Sequence, residues 1–82
     1  MFKIIWDEKA YEELNKLETI IARRIIKKVG ELSTKPYSKD VKRLKGKTVF
    51  RLRVGDYRIL FEIEKYKIYI LKVGHRRNIY KK

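Results

Sequence analysis

The sequence predicts an α+β fold in which two N-terminal helices cover one face of a small antiparallel sheet, in the order β-α-α-β-β-β. Three observations predict it. Apolar residues recur at three- and four-residue spacing from Tyr11 to Leu32, then at two-residue spacing from Phe50 onward, which marks helix followed by strand. The period-two stretches are joined by short polar turns, the pattern of an antiparallel meander. Finally, 82 residues hold one core, so residues 1–82 form one domain.

Phe2-Lys3-Ile4-Ile5-Trp6 is apolar, β-prone and too short for a helix, and reads as a first strand. Asp7 follows as a helix N-cap, with Glu8 in the first turn. Tyr11, Leu14, Leu17, Ile21, Ile25, Val29 and Leu32 then form one apolar stripe. Glu12, Glu13, Lys16, Arg23, Arg24, Lys27 and Lys28 occupy the remaining faces and read as solvated. Thr19 is placed to cap a second helix, which divides the stripe near Glu18. Pro36, within Ser33 to Ser38, ends the helical region. Asp40 to Gly46 reads as a short connector, with Val41 and Leu44 able to anchor a helical turn.

Phe50, Leu52 and Val54 alternate with Arg51 and Arg53, and Gly55-Asp56 supplies the reversal. Tyr57, Ile59, Phe61 and Ile63 continue the apolar face. After a turn at Glu64 to Lys67, Ile68 to Val73 is the last strand before Gly74. A helix stripe must cover a sheet face, and the apolar alternates supply one. Arg51 and Arg53 then stand on the face left free. Trp6, Tyr57, Phe61 and Tyr69 read as packing residues, and Gly55 and Gly74 as positions of backbone geometry.

Charge is distributed unevenly. Thr34 to Lys82 carry 16 Lys or Arg against 4 Asp or Glu, whereas the first 33 residues carry 7 against 6. Such a concentrated basic surface fits a polyphosphate partner, because neutralised phosphates release counterions. The chain has no cysteine and one histidine, His75, which excludes a disulfide framework and a Cys/His zinc site. No segment reads as a signal peptide or a membrane span, so the expectation is a cytoplasmic protein with no membrane partner.

No Gly-rich phosphate loop, metal-ligand cluster or Ser/His/Asp set is present in the sequence, and no cofactor is expected. Chemistry would have to rest on cations, tyrosines and His75. RNA permits that, because its 2′-hydroxyl is its own nucleophile. The protein need only orient it, stabilise the phosphorane and move protons.

Two segments are more specific. Leu52-Arg53-Val54-Gly55-Asp56-Tyr57-Arg58-Ile59-Leu60-Phe61 and Ile70-Leu71-Lys72-Val73-Gly74-His75-Arg76-Arg77-Asn78-Ile79-Tyr80 closely resemble the RelE toxins of the RelE/ParE superfamily. Lys16 to Glu18 and Leu44-Lys45-Gly46 are similar to that family as well. The resemblance implies a type II toxin that cleaves ribosome-bound mRNA in the A site through 2′-hydroxyl attack. It also implies a RelB-like antitoxin as partner. Arg58 and Arg76 match arginines that contact the scissile phosphate, and Tyr80 matches a C-terminal tyrosine that stacks on a base or accepts a proton. Arg51 stands where well-studied members carry a lysine, and a second family lysine falls near Lys47 or Val49. Arginine holds its proton, so Arg51 reads as an electrostatic clamp. His75 either shuttles a proton or pairs with backbone after the last strand. Lys45, Lys47, Arg53, Arg77 and Lys81 complete the candidate RNA-binding set. Two alternatives stay open: a ParE-like gyrase inhibitor and a non-catalytic RNA- or ribosome-binding domain.

Overall fold

Asp7 starts the first helix as the sequence predicts, its carboxylate accepting from the Lys9 N–H and satisfying one of the orphan donors of the first turn. The computed structural model describes residues 1–44, 46 and 48–79. Their elements are β1 (Lys3–Trp6), α1 (Glu8–Asn15), α2 (Thr19–Glu31), β2 (Val41–Arg43), β3 (Val49–Val54), β4 (Tyr57–Glu64) and β5 (Lys67–His75). The fold class is the α+β arrangement expected, with two helices against one sheet face. The helix break falls where the stripe divides, but Glu18 occupies the cap position, without a side-chain hydrogen bond, and Thr19 is the first helical residue.

Two features of the sheet differ from the expectation. It has five strands in the order β1-β5-β4-β3-β2. Residues 41–43 form an edge strand against β3 and not a helical turn, because Val41 pairs with Leu52 and so reaches the same core. The sheet is also mixed: β2 to β5 are antiparallel, but β1 runs parallel to β5. Two helices lie between β1 and the meander and carry the chain back across the sheet, which a hairpin could not do.

The core is the meeting of the helix stripe with the apolar alternates. Ala10, Leu14, Ile25, Val29 and Leu32 pack against Leu52, Val54, Ile59, Phe61, Ile68, Ile70 and Val73. Phe61 is fully buried and its ring stacks on Phe50 at 5.5 Å. Tyr11 leaves the stripe and is 54% exposed, while Ala10 takes the buried position. Glu13 is not simply solvated. Its Oε1 accepts from the Val73 N–H at 2.9 Å, just past the point where β1 stops pairing with β5 at Ile70. A carboxylate thereby takes over a sheet-edge donor that would otherwise lack a partner.

Gly55 lies in the β3–β4 turn at φ 58°, in the region that glycine enters without steric cost. The β4–β5 turn places Lys65 at φ 56°, a strained position for a residue with a Cβ. Among the described residues, no helix is long and apolar enough to cross a membrane.

Candidate phosphate-binding site

The free sheet face is defined by its register. Arg51 pairs with Lys42 on one side and Leu60 on the other, and Leu60 pairs with Lys72. Two residues further along, Arg53 pairs with Arg58, and Arg58 with Gly74. Paired residues share a face, so Lys42, Arg51, Arg53, Arg58 and Lys72 stand together on the side away from the helices. Like charges directly opposite one another are destabilising. A face built from them calls for an anionic partner.

Asp40 neutralises part of this end. Asp40 accepts from Arg53 Nη2 at 3.0 Å and from Lys28 Nζ at 3.3 Å. The Arg53 hydrogen bond first, and the Lys28 bond second, hold its carboxyl below the ordinary value of 3.8. A folded-state value below the unfolded one contributes stability that is complete above the unfolded value and lost as pH falls through the folded one. The expected outcome is that Asp40→Asn flattens the acid limb of the stability curve below about pH 4. Thermal melts of both proteins across that range check it, and parallel acid limbs would dismiss the assignment.

Beside Asp40, a hollow of 220 Å³ is lined by Lys39, Asp40, Lys42, Arg51 and Arg53. Arg51 Nε is buried without a hydrogen-bond partner, a state that costs about 1–3 kcal/mol. The opposite end of the face has another character. There Ile5, Tyr69 and Leu71 line a groove of 750 Å³ together with Asp7, Glu8, Glu62 and Glu64. Carboxylates repel phosphate, so the anion site belongs to the end carrying the arginines.

The two sequence segments singled out above meet at that end. Tyr57 pairs with His75 and their rings make an edge contact at 5.5 Å. The Arg76 N–H donates to the Asp56 carbonyl at 2.8 Å, and Arg76 Nε lies 3.6 Å from Asp56 Oδ1. Arg58 Nη1 donates to the carbonyls of Gly55 and Tyr57 at 2.8 and 2.9 Å, which ties its guanidinium to the turn. Beyond β5 the chain folds back: the N–H groups of Asn78 and Ile79 donate to the His75 carbonyl. Ile79 is buried and its Cδ1 lies 3.0 Å from where a Cβ on Gly74 would sit. A Cβ there would require the tip of the Ile79 side chain to give by a few tenths of an ångström.

His75 meets the backbone just after the last strand. Its Nδ1 accepts from the Arg77 N–H at 3.1 Å, which leaves Nε2 to carry the proton of the neutral ring. Arg77 is exposed and lies beyond the strand register. Tyr80, Lys45, Lys47 and Lys81 lie outside the described residues. The structure adds Lys42 and Lys72, which the sequence reading had not placed in the site. Lys72 escaped because strict alternation gives its neighbour Leu71 to the free face. Among the described residues, no group of three or more His, Cys, Asp or Glu is placed to hold a metal ion.

Comparison with known proteins agrees with this architecture. The family model described as "ParE toxin of type II toxin-antitoxin system, parDE" matches residues 4–80. No curated protein sequence matches the chain. Among solved structures, the toxin–antitoxin complex RelBE2 of Mycobacterium tuberculosis contains a chain 29% identical, with a TM-score of 0.79, covering 92% of this chain and 98% of that one. The archaeal RelE–RelB complex of Pyrococcus horikoshii OT3 contains one 25% identical, with a TM-score of 0.82 and coverages of 94% and 97%. A chain of the chromosomal ParDE system of P. aeruginosa is 16% identical, with a TM-score of 0.76 and coverages of 92% and 96%, and shares the fold.

Proposed function

The chain belongs to the ParE-toxin family of the RelE/ParE superfamily and is a type II toxin, and from that premise we propose that it is a ribosome-dependent mRNA endonuclease. The observation that carries this reading is the cation cluster at the β3–β4 turn, where Arg53, Arg58 and Arg76 from three separate segments converge beside a fold-back leading to Tyr80.

The reaction needs little covalent help from the protein. The 2′-oxygen of the RNA attacks the adjacent phosphorus, the bond to the 5′-oxygen breaks, and a 2′,3′-cyclic phosphate and a 5′-hydroxyl result. A proton leaves the 2′-hydroxyl and another reaches the departing oxygen. Negative charge builds on the phosphorane between these events. Guanidinium groups suit that charge because their paired N–H donors match phosphate oxygens. Arg58 is held to backbone carbonyls on one edge, and that fixed placement avoids reorganisation during reaction. Arg76 meets the same turn at Asp56. Tyr80 and His75 are the candidates for proton transfer, since arginine keeps its proton. Arg51 acts as an electrostatic clamp on the RNA backbone. Lys45, Lys47, Arg77 and Lys81 complete the docking surface by charge. A RelB-like antitoxin is the partner this reading calls for, since the RelE chains it is similar to are in complexes with RelB.

The test is a translating extract supplied with the purified chain, in which new 5′-hydroxyl ends are mapped on ribosome-bound mRNA. Cuts that require ribosomes are expected. RNA binding with no new ends would make it a non-catalytic domain. A second reading, gyrase inhibition, draws on the ParE family model and the ParDE likeness. Loss of gyrase supercoiling with intact mRNA would select it.

A further inference from the structure

We propose that Lys42, Arg51 and Lys72 form a second phosphate subsite, which takes the phosphodiester next to the one held at Arg53 and Arg58 on a single-stranded RNA. The proposal rests on the reading of this face as an RNA surface; it adds Lys42 and Lys72 to that surface and places the Arg51 clamp on the neighbouring phosphodiester.

The β-bulge is the central observation. Phe61 pairs with Ile70, and regular antiparallel register would then set Leu60 opposite Leu71. Instead Leu60 pairs with Lys72, and Leu71 is the extra residue. Bulges re-aim side chains and gather near active sites. This one brings Lys72 opposite Leu60 on the free face, where Leu71 also stands, lining the groove beside Tyr69. The result is a row across four strands, Lys42–Arg51–Leu60–Lys72, in which three of four residues are cations.

Among the described residues, no carboxylate pairs with that row. Lys42 and Lys72 have no ion pair or hydrogen bond among the described residues, whereas Asp40, the nearby carboxylate, is taken by Arg53 and Lys28. Arg51 Nε is buried and unpartnered. Leu60, half-buried at the centre of the row, offers an apolar floor for a ribose or base between the charged ends.

Spacing selects an extended strand. The row lies two residues from the Arg53–Arg58 pair on the same strands, about 6.7 Å away at the usual rise. Neighbouring phosphates along an extended single strand have a similar separation. Duplex RNA presents a rigid curved array of phosphates and would engage the two rows less well.

The test uses 2′-O-methyl oligonucleotides, which cannot be cut, without terminal phosphates. A dinucleotide then carries one phosphodiester and a trinucleotide two. Binding of each to the full chain is titrated at several salt concentrations. The wild type is expected to show a log K against log salt slope steeper by about 0.7 on the trinucleotide, one further phosphate on a single strand. K42A/K72A is expected to lose that increment and to keep the dinucleotide slope. Its melting midpoint should equal or exceed that of the wild type, because repulsion across the row is removed. Lys72→Gln alone should lose part of the increment. An increment that survives in K42A/K72A overturns the subsite, as does a wild type that shows no increment. Because no cutting is involved, a chain that fails to cleave mRNA yet shows the increment retains the subsite and loses only the nuclease reading.

Discussion

Arg76→Ala is expected to lower the rate of ribosome-dependent cleavage by about 10²–10³-fold, the usual effect of removing one donor aimed at a developing oxyanion. Its fold should remain intact. The Arg76 side chain is 53% exposed and its partner Asp56 is 70% exposed, at 3.6 Å, and such surface pairs contribute about 0–1 kcal/mol. The backbone bond from Arg76 N–H to the Asp56 carbonyl survives the substitution. Loss of activity would therefore report on the phosphate and not on stability. Arg76→Lys restores the charge without the fork and should recover only part of the rate. Arg58→Ala is a less clean probe, since Arg58 also bonds the turn carbonyls of Gly55 and Tyr57. Counting new RNA ends over time, beside thermal melts, separates the effects. Equal rates for Arg76→Ala and wild type would remove Arg76 from the site.

Phe61→Ala is expected to cost about 3–5 kcal/mol, the range for emptying a buried aromatic site. Phe61 is fully buried, stacks on Phe50, and sits where β3, β4 and β5 meet beneath the helices. Domains of this kind hold only about 5–15 kcal/mol in total, so the variant should unfold at a much lower urea concentration. Phe61 is also in the register that sets the bulge, so collapse of its site would disturb the cation row on the other face. Phe61→Leu keeps most of the apolar volume and should lie between the two. A midpoint unchanged in Phe61→Ala would mean that the core is centred elsewhere.

The sequence made some parts of this molecule legible for local reasons. The Asp7 cap, the helix break beside Glu18, the Gly55-Asp56 reversal and the alternation of Phe50 to Val54 all depend on neighbours within a few residues. The placement of Arg51 and Arg53 on the free face, opposite Leu52 and Val54, follows from the same alternation. The strand at Val41–Arg43 was hidden because three residues carry too little periodicity to separate a strand from a turn. Glu13 was read as solvated because its partner, the Val73 N–H, lies 60 positions away.

Thus composition and pattern alone determined an α+β fold with a basic, arginine-bearing free face, since burial and charge segregation are written into the order of side chains. Tertiary structure decided the rest. Whether β1 joins parallel to β5, which cation stands opposite which, and how Asp56 meets Arg76 all depend on register between distant strands. The bulge that brings Lys72 opposite Leu60 is the sharpest instance. One extra residue reverses which side chains face the helices, and only pairing with β4 records it.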